Sequence, residues 1–387
     1  MFNPERINSF KTLDTPFYFY DLPLLRRTLK LCKNASDKYG FHVHYALKAN
    51  FNEHVLDAIE HAGFGADCVS GNEVKKAIEI GFQPDKVVFA GVGKSDREII
   101  YALNNDIYCF NVESVQELGI INDLAGNLGK KARVAIRINP NVDAHTHEYI
   151  TTGLEENKFG INQWELNDCV RELRNCDHLQ LIGIHFHIGS QITNLDVFKS
   201  LCVKVNELHS WFEEHGFNLK ILNVGGGLGV DYHQPDVNAF NDFESYFEIF
   251  DKFLERKPGQ EVHFELGRAL VAQCGSLISR ILYVKNGLKK NFLILDAGMT
   301  ELLRPALYQA YHKIENISSA SSDANSETVK YDVVGPICES TDCFGKEVEL
   351  PVSKRGDLIA IRTAGAYGEV MASGYNLRER VKSVYSE

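Results

Sequence analysis

Eight short apolar runs, separated by stretches with helical spacing, occupy the first 265 residues: HVHYAL, GADCV, KVVFAG, IYCFNV, ARVAIRI, LIGIHFHI, LKILNVGG and EVHFEL. Each is four to eight residues long and rich in Val, Ile and aromatics, which suits strands buried on both faces. The intervening segments 52–62, 71–80, 95–103, 114–127, 164–175, 194–215 and 242–256 read as helices, with Ser70, Ser95 and Asn194 near their starts as candidate caps. Repeated βα alternation also describes an open doubly wound sheet. Eight strands in roughly 240 residues, however, match the count and length of a closed (β/α)8 TIM barrel. The predicted α/β barrel spans residues 23–268. Closure would place the first strand, ending near Lys48, beside the last, ending near Glu265.

Beyond residue 270 the texture changes to strand-like runs, SLISRILYV, NFLILDAG, YDVVGPI and DLIAIRTAG, with one helical stretch near 300–313. These predict a second, β-rich domain, sandwich- or barrel-like, over residues 269–387. The strand-like FYFYD near the N-terminus is expected to join it, so residues 1–22 are assigned there as well. The Ser-rich stretch 317–328 is expected to be a mobile loop.

Composition narrows the function classes. No apolar run approaches the ~20 residues a membrane helix requires, and the N-terminus lacks a secretory h-region, so the expectation is no membrane association and a cytoplasmic protein. Nine cysteines without a CxxC fit reduced thiols better than disulfides or zinc. A net charge of −11 without a basic block argues against nucleic acid. A small polar molecule is the expected partner.

Enzymes on this fold gather catalytic groups at the C-terminal ends of the strands, so polar residues there carry the argument. Lys48 would emerge at the mouth, where desolvation could prepare its amine for a Schiff base with an aldehyde; the plainer alternative is a strand-end lysine reaching solvent. In HFHIGSQ, His185 and His187 alternate onto one side of the strand, with Ser190 following. They could bind metal or pack in the core, but no carboxylate or cysteine follows at ligand spacing, and no metal is expected; an imidazole can also lie flat against an aromatic ring. In GGGLG, Gly225, Gly226 and Gly227 lack the Cβ atoms that would keep backbone N–H groups away from an anion, although such clusters are commonly turns. The run lacks the GxGxxG spacing of a dinucleotide site. Glu265, Gly267 and Arg268 close the eighth strand, and the two charged groups could simply pair. An amine, a stacking imidazole, a glycine phosphate loop and a carboxylate for a pyridine nitrogen together match pyridoxal 5'-phosphate.

With those residues in place, the chain resembles the barrel-type, fold type III pyridoxal-phosphate decarboxylases, and within them the diaminopimelate decarboxylases, over nearly its whole length. YALKAN carries the Schiff-base lysine Lys48, HIGSQ the stacking His187 and phosphate-side Ser190, GGGLG the phosphate glycines, and ELGR resembles EPGR with Leu266 in place of proline. RPALY resembles the substrate-contact stretch and implies Arg304 and Tyr308; GPICEST implies Cys338 and Glu339; GAYG implies Tyr367 as a cofactor and substrate contact. Thr341 stands where the family has glycine. The resemblance implies a homodimer with shared active sites, because the Cys-Glu element of these enzymes enters the partner's site. It also implies the reaction, decarboxylation of meso-diaminopimelate to L-lysine and CO2. Glu265 would serve the pyridine nitrogen, Cys338 would protonate the product carbanion with Lys48 as its competitor, Arg268, Arg304 and Tyr308 would bind the distal carboxylate, and Glu339 the distal amine. Without the resemblance, Cys338 reads as a core thiol, Arg304 as a surface cation and Tyr308 as packing. The alternatives are a D-ornithine, D-lysine or carboxynorspermidine decarboxylase, or a non-catalytic regulatory homologue.

Overall fold

In the computed structural model, which describes residues 2–142, 158–318 and 327–386, the chain passes through a first strand, β1 (Phe17–Tyr20), and then eight more: β2 (His42–Ala46), β3 (Gly65–Cys68), β4 (Val87–Phe89), β5 (Cys109–Val112), β6 (Ala132–Arg137), β7 (Leu179–His185), β8 (Ile221–Asn223) and β9 (Glu261–Leu266). Strands β2 to β9 pair in parallel, each with the next, and β9 returns to β2, so the ring closes. All eight predicted strands are present. The closing seam aligns His42 with His263 and His44 with Glu265.

Helix termini follow from local chemistry. Ser70 accepts from the Glu73 amide, and Ser114 from the Glu117 amide, each satisfying a donor the first turn leaves orphaned. Ser95 and Glu98 form a reciprocal capping box. Asn194 accepts from the amide of Asp196, the first residue of the helix Asp196–Glu214. Gly81 ends the helix Gly71–Ile80 at φ 119°, a conformation that costs glycine nothing and other residues strain. Helix Phe243–Phe253 lays Tyr246, Phe247 and Phe250 against Phe264 of β9, with ring centroids 4.9–5.8 Å apart. Each such aromatic contributes about 1.5–3 kcal/mol by leaving water.

The remaining strands are β10 (Gly275–Asn286), β11 (Asn291–Leu295), β12 (Ile314–Asn316), β13 (Thr328–Val334), β14 (Cys343–Pro351), β15 (Leu358–Ile361) and β16 (Lys382–Tyr385). They form a sheet in the order β12-β15-β10-β11-β13-β14, with β1 paired to both β10 and β16. The β-rich second domain is therefore present, and FYFYD joins it. One expectation differs. The helix near 300–313 is only the turn and a half Arg304–Tyr308, ended by Gln309 in the left-handed region. Of the Ser-rich loop, residues 319–326 lie outside the described residues.

By internal contacts the barrel unit is Arg26–Gly229 with Asp242–Leu270, and the β unit is Met1–Leu25, Val230–Asn241 and Val271–Glu387. Segment Val230–Asn241 thus leaves the barrel, unlike the continuous 23–268 span expected. Side chains hold it in the β unit: Arg362 donates to both oxygens of Asp236 (2.9 and 3.3 Å), and the Arg304 guanidinium lies 5.4 Å from the Tyr232 ring centre. No helix among the described residues is long and apolar enough to cross a membrane. All nine cysteines are unbridged, seven of them buried.

Candidate active site

Strand β2 ends at Ala46, and a single tight turn, Leu47–Ala49, carries Lys48 past the strand end. Leu47 and Ala49 are buried while Lys48 is half-buried. Gly267, just after β9, abuts this turn: a Cβ there would lie 3.0 Å from that of Ala49 and 3.3 Å from that of Ala46. The first and last barrel strands therefore deliver Lys48 and Glu265 to one end of the barrel.

Glu265 is buried and accepts three hydrogen bonds. Its Oε1 accepts from Asn111 Nδ2 (2.9 Å) and Asn223 Nδ2 (2.8 Å), and its Oε2 from His185 Nε2 (2.8 Å). The ion pair with Arg268 allowed by the sequence does not form; Arg268 turns to Ser190 instead. Burial works to raise the pKa of Glu265, but His185 and the Asn223 amide outweigh it, and the group is held well below the ordinary carboxylate range. Asp67 of β3 goes the other way. Burial and the negative charge of Glu265 push its pKa well up, against the lowering effect of Lys48. The barrel interior thus contains two carboxylates whose pKa values are driven apart, Glu265 downwards and Asp67 upwards.

Strand β7 stops at His185, so His187 stands in the following loop rather than beside His185 on a shared strand face. His185 is the core histidine: its Nε2 meets Glu265 Oε2, while its buried Nδ1 has no hydrogen-bond partner among the described residues. His187 is partly buried, receives the Gly226 N–H at 3.5 Å, and is kept neutral by burial and by the charges of Lys48 and Arg137. Ser190 Oγ accepts from Arg268 through Nη2 at 3.1 Å and Nε at 3.4 Å.

The glycines also have a packing part that the sequence does not show. A Cβ on Gly225 would lie 2.1 Å from the Phe186 carbonyl oxygen, on Gly226 1.9 Å from that of Glu265, and on Gly227 2.6 Å from that of Gly189. Neighbouring backbone takes the space these Cβ atoms would fill. Their absence lets the loops after β7, β8 and β9 interleave, with Gly225 and Gly227 at φ 69° and 103°. Gly225 N–H goes to Asn223 Oδ1 (2.9 Å), whereas among the described residues Gly227 N–H has no protein acceptor.

This donor set fits pyridoxal phosphate. Of four acceptor sites on its two oxygens, Glu265 uses three, leaving one on Oε2 for a ring N–H. Arg268, Ser190 and the Gly227 amide supply cation and donors suited to a phosphate, and neutral His187 presents a ring face.

Sequence reasoning missed several groups. Arg137, buried at the end of β6, donates to Glu113 Oε1 at 2.7 Å; Lys94, also buried, donates to Glu117 at 2.6 Å. With Asp67, Asn111 and Asn223 they build the polar wall of the barrel. The available signal was a polar residue inside an apolar run, as in GADCV, FNV, ARVAIRI and ILNV.

In the β unit Arg304 is buried, not a surface cation, and Tyr308 is half-buried. Cys338 is an exposed thiol, not a core one, and Glu339 is exposed beside it, accepting from Tyr375 Oη at 2.8 Å. Asp342 braces this loop, accepting from the amides of Ile337 (2.7 Å) and Met299 (2.6 Å). Tyr367 is half-buried at φ 56°. Neither sequence departure disturbs the backbone: Leu266 extends β9 by pairing with Tyr45, and Thr341 is outside the positive-φ region that would demand glycine.

The pyridoxal-binding domain of pyridoxal-dependent decarboxylases matches residues 24–272. Diaminopimelate decarboxylase of Bacteroides thetaiotaomicron is 55% identical over 383 residues, 98% of each chain. That of Aquifex aeolicus is 38% identical, covering 97% of this chain and 88% of the relative. The crystal structure of diaminopimelate decarboxylase from Helicobacter pylori complexed with L-lysine superposes with a TM-score of 0.91 at 41% identity, over 100% of this chain and 94% of that one.

Proposed function

The chain belongs to the pyridoxal-dependent decarboxylase family, and from that premise we propose that it decarboxylates meso-diaminopimelate to L-lysine and CO2. The observation that carries the chemistry is Glu265, buried, held ionised and left with one acceptor site, at the same barrel end as Lys48. Pyridoxal phosphate, when bound, supplies a conjugated sink for the electron pair left when a carboxylate departs.

The residues serve that sink in separate ways. Lys48 would hold the cofactor through its aldehyde, at the barrel end where the substrate amine is to be received. Glu265 keeps a proton on the ring nitrogen, since a carboxylate beside that nitrogen raises its pKa. His187, neutral, covers one ring face without adding a competing charge. Ser190, Arg268 and the Gly227 amide hold the phosphate, with Gly225 and Gly226 shaping the loop, and Tyr367 is assigned a further cofactor and substrate contact. Cys338 is the proton donor to the α-carbon, with Lys48 as its competitor.

Substrate choice rests on the distal end. Arg268, Arg304 and Tyr308 are assigned to the distal carboxylate and Glu339 to the distal amine, because a forked guanidinium recognises a carboxylate bidentately. The exposure of Cys338 and Glu339 on a braced loop supports a homodimer in which each subunit completes its partner's site. Nine unbridged thiols support a reducing, cytoplasmic setting.

The test is CO2 release by protein loaded with pyridoxal phosphate, offered meso-diaminopimelate, D-ornithine, D-lysine and carboxynorspermidine in parallel. Strong preference for diaminopimelate is expected. Preference for an amine lacking the distal carboxylate overturns the substrate assignment, and no turnover of any of them overturns the reaction.

A further inference from the structure

At the opposite end of the barrel from Lys48, His42 opens β2, and Glu261 and His263 open β9. Their ligand atoms all lie within 4.8 Å of one another. The His42 and His263 rings are 4.9 Å apart, and among the described residues neither nitrogen of His42 has a hydrogen-bond partner. A cavity of about 410 Å³ opens here, its lining including His42, His44, Tyr108, Glu261 and His263.

The hydrogen bonds around His263 dictate which of its nitrogens is available. The Lys86 carbonyl, 3.0 Å from His44 Nδ1, can only accept, so that nitrogen carries the proton. His44 Nε2 in turn lies 2.8 Å from His263 Nδ1, so that nitrogen of His263 is occupied. Its other ring nitrogen, Nε2, faces Glu261 Oε2 at 3.3 Å, on the side of the cluster where His42 stands.

A partner at the second ring nitrogen is also what orients a metal-binding imidazole, and His44 supplies one to His263. Tyr108 Oη orients Glu261 by donating to Oε2 at 2.9 Å. In a tetrahedral zinc site with bonds near 2.0–2.1 Å, ligand atoms sit about 3.3 Å apart. His263 and Glu261 already meet that spacing, and the exposed His42 needs only a side-chain adjustment. Neighbouring cations do not block the site: Lys33 pairs with Asp37, and Lys220, 3.4 Å from Glu261 Oε1, is solvent-exposed.

We propose that His42, Glu261 and His263 form a divalent transition-metal site of the Zn2+ class, with water in the remaining position, that staples the first and last strands of the barrel. The site is separate from the cofactor chemistry and stands whether or not the substrate assignment does.

Tag-free holoenzyme, stripped with chelator and then dialysed, is titrated with Zn2+ alone by calorimetry and followed by thermal melting. One ion per chain and a rise in melting temperature are expected. His42→Ala, at an exposed position, should melt like wild type in chelator, lose roughly tenfold or more in Zn2+ affinity, and lose the melting shift. Glu261→Gln should weaken binding likewise. Zinc-edge anomalous diffraction should place the ion between His42 and His263. Absence of saturable one-to-one binding, or equal binding and an equal melting shift in His42→Ala, overturns the site.

Discussion

His185 Nε2 lies 2.8 Å from Glu265 Oε2 in the barrel interior, both side chains almost wholly buried. The histidine thereby serves the carboxylate, and with Asn111 and Asn223 it holds Glu265 ionised where solvent does not reach. Several measurable consequences descend from that arrangement.

Glu265→Gln should lower kcat on the order of a hundredfold, as loss of one preorganised charged partner does, with pyridoxal phosphate still bound and visible by its absorption. It should also cost about 1–3 kcal/mol of stability, because an amide cannot accept on both atoms from three donors. The folded pKa of Glu265 is depressed, so its contribution is present above the unfolded value of about 4.3 and is lost as pH falls through the lower folded value. Wild type and variant should therefore converge in acid. A stability gap that persists unchanged at low pH would contradict the assignment.

Asp67 should show the opposite sign. Its folded pKa is raised, so the native state binds the proton more tightly, and stability falls as pH rises from the unfolded value of about 3.9 towards the folded one. Asp67→Asn should be at least as stable as wild type at neutral pH, by denaturant midpoint, with a weaker decline of stability with pH. A marked loss at pH 7 would show that Asp67 is ionised there.

Arg304→Ala should raise KM for meso-diaminopimelate by roughly ten- to a hundredfold, matching about 1–3 kcal/mol for a lost charged hydrogen bond. Turnover of D-lysine or D-ornithine, which lack the distal carboxylate, should change much less. Equal increases for all three would refute the role.

Shared sites predict complementation. Lys48→Ala and Cys338→Ala homodimers should each be impaired, while random reassortment in a one-to-one mixture makes half the dimers mixed, each with one intact site. Activity should recover to about a quarter of wild type. No recovery after verified subunit exchange would place both residues in one subunit's site.

Gly226→Ala tests the packing role of the glycine loop. Its Cβ would meet the Glu265 carbonyl oxygen at 1.9 Å, and backbone cannot swing aside as a side chain can. A loss of several kcal/mol by denaturant titration is expected, with weakened retention of pyridoxal phosphate. Wild-type stability would show that the loop shifts freely.

The barrel was legible in the sequence because each strand's burial on both faces and each helix's cap are local properties, written in runs such as KVVFAG and in Ser70 or Ser95. Lys48, His187 and Glu265 were legible for the same reason, since strand ends mark where a barrel presents its chemistry. Tertiary structure decided what depends on residues far apart in the chain. It set the partners of Glu265, drawn from β5, β7 and β8; the raised pKa of Asp67, imposed first by burial and then by the charge of Glu265; and the close packing at Gly225–Gly227, whose missing Cβ atoms make room for carbonyls of neighbouring segments. It also moved Val230–Asn241 into the β unit through Arg362 and Arg304, and it gathered His42, Glu261 and His263 across the seam where β9 closes on β2. Hydrogen bonding, desolvation and steric contact act through space, and a single sequence read for periodicity registers only what acts along the chain.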